Sequence, residues 1–284
     1  MDNTTRNEII AKYIRNASGR QRLASSMIQP LRARRDYSSV GRKAFFVEQL
    51  PDGALPIYDK DPDVTAYVVG EEGENIVAVA KCKRVLFPMF EIASNPEIPL
   101  TEIKARRFDL IERAVDKAKI AIQVEEDTKV FSVMQAMADD VTNPNPTIDV
   151  TGNLTSNALA DAFAAIERSD IRVATVFMNA KEFNDIRKWD RDTLDTQTQG
   201  EILKTGLMGT LWGAKIIVSR IVPEGTVYVA GEAEFFGRMP VRTELTVLSA
   251  DDPKNRLIGF SCFEQLGIGA YNPYAMSTLA ITRV

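Results

Sequence analysis

The chain has 284 residues, enough to bury a large core as one large domain or two intimate ones, and its 45% hydrophobic, 26% charged composition is ordinary for a globular protein. No apolar run reaches the ~18 residues that a membrane-crossing helix needs. Histidine is absent, which excludes Ser/His/Asp and Cys/His triads, HExxH zinc sites and the usual proton shuttle near neutral pH; catalysis would have to rest on carboxylates, Lys, Tyr or a cofactor.

The two cysteines, Cys82 and Cys262, are far apart and outside any CxxC spacing, so they are expected to be reduced, buried small hydrophobes. The first thirty residues interleave Arg and Lys with apolar residues and never form the apolar core of a signal peptide, so the chain is expected to stay in the cytosol where it is made. Charge is uneven. Met1 to Lys43 holds ten basic residues against Asp2, Glu8 and Asp36, a surplus of seven; with the whole chain formally at -4, residues 44 to 284 carry -11. A basic arm precedes an acidic body. Such an arm can lie against nucleic acid, dock on an acidic neighbouring copy, or simply be a solvated helix. No helix-turn-helix, zinc finger or aromatic-studded RNA-binding motif supports sequence-specific nucleic-acid recognition.

In chain order, Thr5 and Glu8 have capping-box spacing and precede Ile9, Ile10, Tyr13 and Ile14 at helical intervals. This short amphipathic helix has little of its own to pack on. Pro30 ends it, and the basic run LRARRDY, with Arg32, Arg34 and Arg35, is expected to be extended. Strand-like segments follow. KAFFVEQ leads into a turn at Asp52-Gly53, and VTAYVV (64–69) and NIVAVA (75–80), joined by GEEGE, predict an extended hairpin lacking a private core. Asp59, Asp61 and Asp63 alternate like the start of a calcium loop, but Val64 stands where Gly is required and Gly70 where the bidentate Glu belongs, so an acidic turn is the reading.

The strongest helical pattern begins at Thr101, an N-cap by type, and places Phe108, Ile111, Val115, Ala118 and Ile122 on one stripe to about residue 124. A second helix is expected over EEDTKVFSVMQAMAD, then a loop through TNPNPTIDVTGN. Next come a helix capped by Thr155 or Ser156, the buried strand RVATVFMN and a helix over AKEFNDIRKW, an α/β alternation. The last third reads as strands GAKIIVS, TVYVAG, VRTELTVLS and RLIGFSCFEQ. GIGAY lacks the third glycine and the helix of a dinucleotide fingerprint and reads as strand or turn; no Walker A sequence occurs. The fold class is α+β, and the residues offer no catalytic, metal or cofactor site.

The order of basic arm, long hairpin, isolated long helix, α/β segment and β-rich closure resembles the Hong Kong 97 fold of tailed-bacteriophage major capsid proteins over nearly the whole chain. Local wording is similar too. GLMGTLWGAKIIVSRIVPEGTVYVAG, with Gly206, Gly209, Gly213, Ser219, Val222 and Pro223, is like the family's glycine-punctuated approach to a strand ending in Ser and Val-Pro. GRKAFFVEQLPDGALPIYD is like the start of its extended loop, and RLIGFSCFEQLGIGAYNPYAM like its late strand.

The resemblance implies an arm at residues 1–42, an extended E-loop at 43–75, and a peripheral domain of 76–129 and 236–264 that includes the spine helix 101–124. An axial domain would take 130–235 and 265–284, with axial loops such as KWDRDTLDTQTQGEILK. It implies a non-enzymatic virion protein, assembled in the host cytoplasm, that self-assembles through a procapsid into pentamers and hexamers of an icosahedral capsid around double-stranded DNA. No cofactor and no membrane are involved. Partners would be copies of itself, a separate scaffolding protein, a portal and decoration proteins. Residues 1–42 are too short for the long helical scaffolding segment of some members, so separate scaffolding or removal of an earlier segment is expected.

Intersubunit contacts would come from Ile9, Ile10, Tyr13, Ile14, Arg32, Arg34 and Arg35 on the arm and from Phe45, Phe46, Asp59, Lys60, Asp61 and Asp63 on the E-loop. Some relatives form Lys-to-Asn cross-links promoted by a Glu; here Lys60, Asn272 and Glu264 are present, but no motif fixes their geometry. An encapsulin-type compartment uses the same fold around enzymes, and the long basic arm disfavours it. A cofactor- or carboxylate-dependent enzyme is the alternative from another class.

Overall fold

Residues 110 to 138 contain neither glycine nor proline, and they form one uninterrupted helix, α2 (Leu110–Ala138), preceded by the short α1 (Leu100–Ala105). The computed structural model describes residues 39–60, 83–105, 110–141, 143–189, 209–252 and 254–283. At 1.5 Å per residue α2 is about 43 Å long. The expected break near residue 124 does not occur. Ala118, Ile122, Glu126, Val130, Met134 and Ala138 fall at steps of four and are all buried; the acidic run Glu125–Asp127 interrupts the apolar stripe chemically without interrupting the helix. The expected start at Thr101 comes one residue late.

The described residues divide into two units. In the unit comprising Ser39–Glu91, Glu125–Glu244 and Gln265–Val284, the centre is a six-stranded sheet. Its strands are β6 (Ile148–Thr151), β14 (Met276–Thr282), β10 (Thr226–Gly231), β7 (Val173–Met178), β9 (Ala214–Val218) and β8 (Thr210–Leu211), in that spatial order. β10 runs antiparallel to both β14 and β7, whereas β7 with β9 and β14 with β6 are parallel. The α/β alternation read from sequence is this crossover: β7, helix α4 (Ala180–Arg187), then β9 alongside β7. β6 lies in the segment expected to be a loop. Four residues are too short to announce a strand alone, and β6 exists because β14 offers it a parallel edge.

Both faces of this sheet are covered, so its central strand is apolar at nearly every position instead of alternating. Val227 and Val229 of β10 face a cluster with Leu159, Ala162, Phe163 and Ile166 of helix α3 (Ser156–Glu167) and with Phe183 and Ile186 of α4. Tyr228 and Ala230 face the opposite cluster, with Val130, Phe131, Met134 and Ala138 of α2. Phe131 stacks on Tyr228 at 6.0 Å and meets Phe177 edge-on at 5.6 Å. Thr155 caps α3, its side chain accepting from Ala158 N at 3.3 Å.

A second six-stranded sheet has the order β1 (Phe46–Gln49), β11 (Gly237–Ser249), β12 (Leu257–Gly267), β4 (Met89–Ser94), with β13 (Gly269–Ala270) on β11 and β5 (Glu97–Pro99) on β12. GIGAY thus contributes strand backbone. The short helix α5 (Ala233–Phe236) precedes β11. In the other unit, Ile92–Val124 and Leu245–Glu264, Asp252 Oδ1 accepts from Lys254 N and Asn255 N to make the turn between β11 and β12. Cys262 is buried there, and burial pushes its thiol pKa up, as an inert core cysteine requires. Finally, β2 (Ile57–Lys60) and β3 (Lys83–Leu86) form a two-stranded antiparallel ribbon, with Ile57 opposite Leu86 and Lys60 opposite Lys83.

Candidate functional site

Residues 39 to 43, where the basic arm joins the body, are held by two carboxylates buried in the middle of α2. Asp127, fully buried, accepts from Ser39 Oγ at 2.9 Å, Val40 N at 2.9 Å and Gly41 N at 2.8 Å. Glu126, 1% exposed, accepts from Arg42 Nε at 2.7 Å and Nη2 at 3.3 Å, and the same guanidinium reaches Glu244 at 3.0 Å. Burial alone would lower the Arg42 pKa. The hydrogen bond and charge of Glu126, followed by those of Glu244, outweigh it and raise the value above that of an ordinary arginine. Glycine at position 41 leaves room for this carboxylate, since a Cβ there would sit 2.6 Å from Asp127 Oδ1 and force it to shift. Charged groups this deeply buried persist only when paired, so the arm root is a fixed anchor.

The ribbon has two faces. Tyr58, Val85 and Phe87 border an open groove of about 700 Å³, whose other walls include Phe46, Phe235, Arg238, Tyr271 and Tyr274. The opposite face carries Ile57 and Leu86, cross-strand neighbours, with Leu55 just before them; Leu55 is 70% and Leu86 62% exposed. Ile57 and Leu86 on the ribbon and Leu55 just before it are large aliphatic side chains that the described residues leave uncovered. Asp59 and Arg84 bridge at 3.0 Å on that face, both exposed, a contact worth little in stability.

Of the sequence-derived contact residues, Ile9, Ile10, Tyr13, Ile14, Arg32, Arg34, Arg35, Asp61 and Asp63 lie outside the described residues, as do VTAYVV, NIVAVA, Cys82 and most of the expected axial loop. Phe45 and Phe46, expected together at a contact, part company. Strand alternation buries Phe45 against Phe236, ring centroids 4.9 Å apart, and turns Phe46 outward. Of the two, only Phe46 is exposed. Asp59 is exposed, and Lys60 ends β2. Phe108 lies outside the described residues and Ile111 is placed only by its backbone; Val115 is half-buried, and Ala118 and Ile122 are buried.

Sequence reasoning missed the arm-root clamp. Its signal was the pair Glu126-Asp127 on the phase where the stripe calls for apolar residues. A second missed cluster is Arg283 with the buried Glu182 and Asp185 of α4, at 3.1 and 2.9 Å. The Asp185 hydrogen bond, against the opposing pull of burial and with help from Glu182, raises the Arg283 pKa. Among the described residues no group of three metal-ligating side chains comes together.

No protein-family profile and no curated protein matches the sequence. By structure the chain is similar to the capsid of the cyanophage P-SCSP1u, at 13% identity, covering 91% of this chain and 92% of that one with a TM-score of 0.70. It is also similar to the mature capsid of bacteriophage PhiM1, at 10% identity, with 90% and 91% covered and a TM-score of 0.67. The capsid of an empty GTA particle aligns at 16% identity, with 90% and 96% covered and a TM-score of 0.60. The likeness covers about nine-tenths of this chain, and the chain therefore has the capsid-subunit fold of tailed phages, the Hong Kong 97 type that its sequence resembles.

Proposed function

We propose that the chain is a major capsid protein whose activity is association with copies of itself into pentamers and hexamers of a closed icosahedral shell around double-stranded DNA. The observation that carries this reading is a structural likeness covering about nine-tenths of both chains in each pairing with a capsid subunit. The exposed aliphatic face of the ribbon agrees with it, since that surface is stabilised when a neighbouring copy covers it. In this reading residues 1–42 are the arm, 43–75 the E-loop, 76–129 with 236–264 the peripheral domain, and 130–235 with 265–284 the axial domain. The spine stripe from Phe108 to Ile122 belongs to the peripheral core.

The arm residues Ile9, Ile10, Tyr13, Ile14, Arg32, Arg34 and Arg35 contact a neighbour, as do Phe46, Asp59, Lys60, Asp61 and Asp63 of the E-loop. Assembly takes place in the host cytoplasm with separate scaffolding and portal proteins and ends in the virion, where decoration proteins can join. The acidic body, at -11 over residues 44–284, suits a container that encloses DNA without gripping it. Sedimentation velocity over a wide concentration range tests the proposal. Capsomer-sized and larger species that grow with concentration are expected; a monomer unchanged across the range, with and without scaffolding protein, overturns it.

A further inference from the structure

Among the described strands, β2 and β3 pair only with each other. The direction of the ribbon is therefore set by contacts at its root, not by a sheet. The root is bracketed by Pro51, Pro56 and Pro88, and its main-chain ties are short: Phe87 N donates to Pro56 O at 3.1 Å, and Arg242 Nη2 to Ala54 O at 2.8 Å.

Two side-chain contacts complete it. Phe87 is buried over Gly269, where a Cβ would come within 2.2 Å of its ring, so this end of the ribbon sits in a socket that only glycine leaves open. Arg238 of β11 lies between two rings. Its guanidinium is 5.5 Å from the ring centroid of Phe46 on β1 and 5.2 Å from that of Tyr58 on β2, and Nη1 donates to Glu48 Oε2 at 3.1 Å. A flat cation thus bridges one ring of the sheet and one ring of the ribbon, held in orientation by a carboxylate of the sheet. Phe87 leans on the same Tyr58 at 5.2 Å. Beside these contacts the groove is open, which leaves the ribbon room to turn.

We propose that Arg238 is a positioning residue that fixes the angle at which the ribbon leaves the β1–β11 sheet, with Phe87 over Gly269 as the fulcrum. The socket resists translation but permits rotation about the ring. The Phe46–Arg238–Tyr58 stack removes that rotation, because turning the ribbon in either direction separates Tyr58 from the guanidinium. If the chain builds shells as proposed, this angle determines where the aliphatic face of the ribbon meets the next copy.

The test is made on the unassembled full-length chain, with Cys82 and Cys262 replaced by Ala and nitroxide labels at Lys60→Cys on the ribbon and Asp161→Cys on α3. Pulsed dipolar spectroscopy should give one narrow distance distribution. Arg238→Ala should broaden or shift it while the melting temperature of the body changes little. Arg238→Lys, which keeps the charge but loses the planar stack, should also broaden it. Tyr58→Leu removes the stack from the ribbon side and should reproduce the effect, which decides the matter if Arg238→Ala fails to fold. A broad parent distribution, or Arg238→Ala and Tyr58→Leu traces that superimpose on the parent, would overturn the assignment. Because the readout needs no shell, its failure is distinct from a failure to assemble.

Discussion

Asp127 shows how one side chain can join two distant parts of a chain. It is 86 residues from Gly41, yet its carboxylate satisfies three donors of the arm root while its own helix keeps its backbone bonds. Asp127→Ala leaves those donors unpaired and should destabilise the fold by about 2 to 3 kcal/mol in denaturant melts. Gly41→Ala should approach the same loss by steric overlap, whereas Ser39→Ala, which removes one partly exposed hydroxyl, should cost under about 1 kcal/mol. Equal losses for all three would contradict a clamp centred on Asp127.

Tyr228 offers a pH test. Burial, with the charge of Asp139 adding to it, pushes its phenol up to about 12 from an ordinary 10.0, and its hydroxyl donates to Gln135 Oε1 at 2.7 Å. The folded state therefore holds a proton that the unfolded chain releases near pH 10, so this stabilisation is complete below pH 10 and is lost as pH climbs from 10 towards 12. Tyr228→Phe should cost about 1 kcal/mol at pH 8 and flatten the alkaline fall in stability over that window. A fall as steep in the variant as in the parent would assign the alkaline sensitivity to other groups.

At the scale of elements, the long helix and the central sheet were legible to different degrees. TVYVAG was readable because a continuous apolar run between Gly225 and Gly231 is what a strand covered on both faces looks like. The helix was readable in each half but not as one piece, because Glu126 and Asp127 put charge on the buried stripe; their partners Ser39 to Arg42 are known only once the chain is folded. β6 was missed since a short edge strand is defined by its neighbour rather than by its composition, and the interior strand β14 was not read either. Phe45 and Phe46 were both expected at an intersubunit contact because a resemblance locates a loop but not the parity of its pleat, and only Phe46 is exposed. Continuity of α2 is itself testable. Glu125 is an exposed position in mid-helix, and Glu125→Pro should cost about 3 kcal/mol or more and lower the helical circular dichroism signal; a change under about 1 kcal/mol would mean the helix is broken there already.

At the scale of the whole molecule, the proposed capsid role has this chain completed by its own copies. Its ribbon bares Ile57 and Leu86 on one face with exposed Leu55 just before it, residues 39–42 are anchored by buried charge, and its fold is that of subunits seen in assembled shells. Leu55 and Leu86 together are the sharpest handle. Leu55→Ser with Leu86→Ser exchanges exposed apolar surface for polar and should leave the melting temperature of the isolated chain nearly unchanged while suppressing assembly. Electron microscopy of the purified chain, alone and with candidate scaffolding protein, is the direct measurement. Closed icosahedral shells from the parent, absent in the double variant, are the predicted result; dispersed single subunits from both under all conditions would contradict it.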